Sequence, residues 1–264
     1  MAHIFCCLSL ILCINYSLYA QELDWFESNT LNFIMNETEY HEGSVYFYYK
    51  LFSKNSTSAY SDHNSESFSK IAKPLDLYNY WGQKEDESYD VLLTKTAYVL
   101  NQAAAYFTSE RLSDPAYIGS TMPHAALEKS DSVFHIAVGF GTPDIDYTLQ
   151  FYENENFKNT YPTLDSYFSL FDGINLEPQL ISIQHNFNYS RVLFQKTTKM
   201  SISISRYFPL NDQQTLVLNY TLNYIYNMPP EIIGGSEFLV KKIKEGIDAL
   251  VSETQLVCMR SNNP

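Results

Sequence analysis

Thr215-Leu216-Val217-Leu218-Asn219-Tyr220-Thr221-Leu222-Asn223-Tyr224-Ile225-Tyr226 is the stretch that decides the fold. Leu216, Leu218, Tyr220, Leu222, Tyr224 and Tyr226 fall on one side of an extended chain. Thr215, Val217, Asn219, Thr221, Asn223 and Ile225 fall on the other. Successive side chains of a strand point to opposite faces, so this period of two predicts a long strand with one buried face. Pro229-Pro230 ends it, because proline cannot donate to a β-ladder.

Working toward the C-terminus, Ser236 opens a predicted helix with an apolar stripe of Leu239, Ile243, Ile247, Leu250 and Val251. Lys241, Lys242, Lys244 and Glu245 fall largely outside that stripe, and Gly246 weakens it. Strand and helix are sequence neighbours with one apolar face each. Ile243 and Ile247 are therefore expected to pack on the sheet face that carries Leu218 and Leu222.

Working toward the N-terminus, further strands are expected. Residues 191–206 set Ile202 and Ile204 against Ser201, Ser203 and Ser205. Residues 180–188 set Ile181, Ile183, His185 and Phe187 against Ser182, Gln184 and Asn186. Residues 133–140 and 146–151 read as a hairpin joined through Gly141-Thr142-Pro143-Asp144, and residues 44–52 are β-branched and aromatic. A helix is predicted over 88–107, from the Ser88 cap, Asp90 in the first turn, Ala103-Ala104-Ala105, and the spacing of Leu93, Ala97, Leu100 and Ala104. Shorter helices are expected over 23–35 and 163–171, a polar loop over 53–69, and irregular chain over 111–130.

These elements predict one α+β domain over residues 21–264, with about five to seven antiparallel strands packed against a C-terminal helix. The order resembles that of helix-grip folds, in which an antiparallel sheet wraps a long C-terminal helix.

Residues 1–20 contain no Lys, Arg, Asp or Glu, and the run from Ile4 to Ile14 is apolar except for Ser9. At about 11 residues that run suits a secretory signal peptide and is too short to span a membrane. Ser17-Leu18-Tyr19-Ala20 supplies a small residue for cleavage, so the mature chain is expected to begin at Gln21 and to be periplasmic or extracellular, with no integral membrane span left after cleavage. Cys6, Cys7 and Cys13 leave with the signal, and Cys258 alone cannot form an internal disulfide. The formal charge of −13 disfavours nucleic acid and anionic lipid surfaces as partners, since both need a basic footprint. Four Asn-x-Ser/Thr sequons occur, at Asn36, Asn55, Asn188 and Asn219. Two of them fall in predicted strands, and they read as chance occurrences.

No catalytic residue, metal ligand set or cofactor motif is assigned. The histidines are scattered, no Gly-x-Ser-x-Gly elbow exists, and the glycine pairs match no phosphate loop. A β-barrel in the outer membrane is disfavoured by the small number of strands and by the terminal helix. What remains is aromatic: Tyr220, Tyr224, Tyr226, Phe187 and Phe194 are the candidate ligand-binding residues. They predict an exported protein that binds a small apolar or lipid-like ligand between sheet and terminal helix, with a cell-envelope scaffold or interaction module, engaging an envelope protein, as the alternative.

Overall fold

Among the described residues, nine strands form a single antiparallel sheet, and a long helix crosses part of one of its faces. The computed structural model describes residues 45–52, 90–123, 125–137, 145–162, 164–166, 176–187, 190–192, 195–225, 228, 231 and 234–262. Contacts divide the chain into two units, one of residues 1–40 and 165–175 and one of residues 41–164 and 176–264. Every element named below belongs to the second.

The strands are β1 (Tyr46–Phe52), β2 (Asp90–Leu100), β3 (Ala126–Ser130), β4 (Val133–Ala137), β5 (Ile145–Tyr152), β6 (Leu180–Asn186), β7 (Ser190–Val192), β8 (Gln195–Asn211) and β9 (Gln214–Ile225). Their order in space is β1-β2-β9-β8-β6-β5-β4-β3, with β7 beside the start of β8. The helices are α1 (Ser109–Leu112), α2 (Pro115–Thr121), α3 (Asn154–Thr160) and α4 (Gly235–Asn262). The α+β class, the antiparallel sheet and the C-terminal helix packed on it stand as the sequence predicts. The expectations for 23–35, for the loop over 53–69 and for most of 163–171 lie outside the described residues.

The predicted helix over 88–107 is overturned. Residues 90–100 are β2, a central strand between β1 and β9, followed by a single 3₁₀ turn at Ala104–Tyr106. Leu92, Thr94, Thr96 and Leu100 are buried on one face, and Lys95, Ala97 and Val99 on the other. A strand covered on both sides needs no apolar–polar alternation, so its pattern imitated a helical one. The β-branched Thr94, Thr96 and Val99 were the residues that favoured a strand.

Residues 111–130 are also more regular than expected. Pro115 sits in the first turn of α2, where its missing N–H costs nothing, and Asp114 Oδ1 accepts the Ala116 N–H at 2.9 Å. The β3–β4 hairpin turns through Asp131, at φ 53°, a left-handed position that Asp tolerates better than most residues. Helix α3 follows β5 directly and was not anticipated.

The sheet has two unlike faces. On the first, Leu216, Leu218, Tyr220, Leu222 and Tyr224 of β9 are all buried, together with Ile202, Ile204 and Phe208 of β8 and Ile181 and Ile183 of β6. The second carries Val217, Asn219, Thr221, Asn223 and Ile225 of β9. Helix α4 packs on this second face. Leu239 joins Leu92 and Ile225 at one end, and Cys258 joins Leu100, Phe107 and Val217 at the other. The expected contact of Ile243 and Ile247 with the Leu218 and Leu222 face is therefore overturned. Ile243 lies beside Leu92 and Ile225, and Ile247 is only half-buried. Both faces of β9 have apolar residues at their ends, and the ends decide where the helix docks.

Candidate functional site

Between its two apolar ends, the face under α4 is polar. Three adjacent strands place short uncharged side chains there: Asn219, Thr221 and Asn223 from β9, Ser201, Ser203 and Ser205 from β8, and Ser182, Gln184 and Asn186 from β6. Most of these are half-exposed. One flank is the seam of α4 over β2 and β9. The other is a cluster of Ile118 from α2 with Phe134, Ile136 and Tyr147, against which Met122 and Leu149 pack. This polar strip between two apolar clusters, the trough, is the candidate site. Tyr207 stacks on Phe107 at 5.5 Å near one end, and α2 packs against α4.

The floor is a hydrogen-bonded network. Asn219 Nδ2 donates to Ser203 Oγ at 2.6 Å and to Ser205 Oγ at 2.8 Å. Thr221 Oγ1 donates to Asn219 Oδ1 at 2.9 Å, which spends its only hydrogen. In the 3.0 Å contact between Ser203 and Thr221, serine must therefore be the donor. The three side chains close a ring in which every hydrogen points round one way. Beside it, Gln184 Nε2 donates to Asn186 Oδ1 and Asn186 Nδ2 donates to Ser201 Oγ, both at 2.7 Å. Tyr207 extends the network by bonding Ser182 and Ser205, and burial pushes its hydroxyl up to about 12, so it stays protonated.

The predicted site residues are not gathered in this trough. Tyr220 and Tyr224 are buried on the opposite face of β9, away from α4. Phe187 follows β6 and donates its backbone N–H to the Asp146 carbonyl at 2.9 Å. Tyr226 and Phe194 lie outside the described residues. The polar floor was missed because alternation was read as buried against solvated. One signal was present: the stretches 182–186, 201–205 and 219–223 set Ser, Asn, Thr and Gln on one face with no Lys or Glu within them. A face turned fully to water usually carries charge.

Other titratable groups lie elsewhere. His135 Nδ1 meets Asp146 Oδ1 at 2.5 Å across β4 and β5, on the face that carries Tyr220. His185 stands opposite Ile202 on that same face, buried to 4 % exposure, and desolvation drives its pKa down to about 4. Among the described residues, no group of three His, Cys, Asp or Glu side chains is placed to hold a metal ion. No described helix is long and apolar enough to cross a membrane.

Several solved structures follow a similar chain path. A conserved protein from Geobacillus kaustophilus is 10 % identical, over 62 % of this chain and 93 % of its own, with a TM-score of 0.42. A START superfamily protein from Mycobacterium smegmatis is 12 % identical, over 64 % and 97 %, with a TM-score of 0.40. Norcoclaurine synthase from Thalictrum flavum, solved with dopamine and hydroxybenzaldehyde, is 9 % identical, over 64 % and 87 %, also with a TM-score of 0.40. No family model and no curated protein matches the sequence. The fold class rests on this chain's own sheet and helix.

Proposed function

We propose that this chain is an exported small-molecule-binding protein whose ligand lies in the trough between α4 and the sheet. The observation that supports the reading is the half-exposed floor around Asn219, Thr221 and Ser203, set inside the fold between packed walls. A core that existed only for stability would fill this space with apolar side chains, because buried polar groups contribute less than the packing they displace. Helix α4 closes on the sheet at Leu239 and at Cys258. Between Leu239 and the buried Val251, Ile247 is only half-buried, and a guest's lipid-like portion would lie against it.

Export is the second part of the proposal and rests on residues 1–20. Native mass spectrometry of the protein purified from its source tests both parts. The expected spectrum shows a chain beginning at Gln21 and an added mass of a few hundred daltons, typical of a pocket ligand. A chain that keeps Met1 would sink the export claim. A bare chain that also fails to bind small amphiphiles in solution would sink the binding claim.

A further inference from the structure

The hydrogen count of the ring says which kind of group fits against it. Within the ring of Ser203, Thr221 and Asn219, both hydrogens of the amide and the single hydrogen of each hydroxyl are already given to protein acceptors. What the ring still offers is lone pairs, on Ser203 Oγ, Thr221 Oγ1 and Asn219 Oδ1. A guest resting on this ring must therefore donate to it. A carboxylate or phosphate brings only acceptors and would set its charge against oxygen lone pairs. A cation would donate, but no Asp or Glu stands among the floor residues to offset its burial.

The ring therefore calls for an uncharged donor, which a hydroxyl group supplies.

We propose that the ligand is an uncharged amphiphile whose hydroxyl groups donate to Ser203, Thr221 and Asn219 while its hydrocarbon part lies against Ile247. The proposal rests on the binding reading above and narrows it to a class of compound.

Three probes separate the possibilities: octyl glucoside below its micelle concentration, decanoate, and the apolar dye N-phenyl-1-naphthylamine. The expected result is that octyl glucoside binds and displaces the dye, that decanoate binds more weakly than the glucoside, and that Thr221→Val weakens the glucoside about tenfold without changing dye binding. Ser203→Ala, which removes one proposed acceptor and leaves the Thr221 bond to Asn219 Oδ1 in place, serves as a second variant if Thr221→Val melts early. If the dye binds but the glucoside does not displace it, or decanoate binds more tightly, or both variants weaken dye and glucoside alike, the hydroxyl class is overturned and the trough stands. If neither dye nor glucoside binds the folded wild-type chain, the binding reading itself falls, and this inference with it.

Discussion

Lys95 and Tyr220 stand directly opposite each other on β2 and β9, with the ammonium 5.0 Å from the centre of the phenol ring. Lys95 is 0 % exposed and Tyr220 is buried, so a cation lies over an aromatic face inside the protein. Such contacts strengthen when water is excluded, to about 2 kcal/mol or more. Tyr220→Leu removes the ring but keeps an apolar side chain. It is expected to lower stability by about 2–4 kcal/mol through lost packing and the lost cation contact. Urea melts should show the loss, and octyl glucoside binding by the folded variant should be unchanged, because Tyr220 faces away from the trough. A variant of native stability would show that the ring contributes nothing to holding Lys95.

Helix α4 should hold where it is buried, at Leu239, Val251 and Cys258, more than at Ile247. Leu239 is buried against Leu92 and Ile225, whereas Ile247 is half-buried over the trough. Leu239→Ala is expected to cost about 2–5 kcal/mol and Ile247→Ala about 1 kcal/mol. Equal losses in thermal or urea melts would mean that the helix is packed along its whole length.

Cys258 is buried among Leu100, Phe107 and Val217, and desolvation pushes its thiol up to about 12. A thiol reagent at pH 8 should modify it only as fast as the region opens. Cys258→Ser places a hydroxyl in that apolar cluster and should cost about 1–3 kcal/mol. Rapid modification of the native protein would contradict the buried position.

The depressed pKa of His185 makes stability depend on pH. The folded chain resists a proton until about pH 4, whereas the unfolded chain takes one up near the ordinary 6.5. Between those values the unfolded state binds more protons, so stability falls as pH falls. The loss attributable to His185 should reach about 2 kcal/mol by pH 5. Urea melts of wild type and His185→Leu at pH 7 and pH 5 should differ by that amount, and parallel behaviour would place the imidazole in contact with water.

Gly246 lies exposed in α4, with nothing within 4 Å of where a Cβ would stand. Gly246→Ala should stabilise the protein by about 0.5–1 kcal/mol through helix propensity alone. An unchanged melting temperature would mean that α4 frays there.

The period-two strands β6, β8 and β9 and the long C-terminal helix were legible because each alternates cleanly along its own length. β2 was not, because a strand buried on both faces loses the alternation that reports it. The docking face of α4 was also hidden. Leu92 and Leu100 each belong to one of the two apolar ends, and both sit on the strand that was read as a helix. With β2 misread, the even face of β9 was the only apolar partner in view. The aromatic candidates Tyr220 and Tyr224 followed from that choice, and the polar ring at Asn219 was set aside as a solvated surface.

The ring has one more consequence, for how the chain can be made. Asn219-Tyr220-Thr221 is an acceptor sequon for N-linked sugar, and its target atom is the nitrogen whose two hydrogens hold Ser203 and Ser205. A sugar on that nitrogen would take the place of one hydrogen and bring its bulk under α4. The modified chain cannot close the native floor. If the chain enters the secretory pathway of a host that glycosylates its proteins, sugar transfer therefore competes with the pairing of β9.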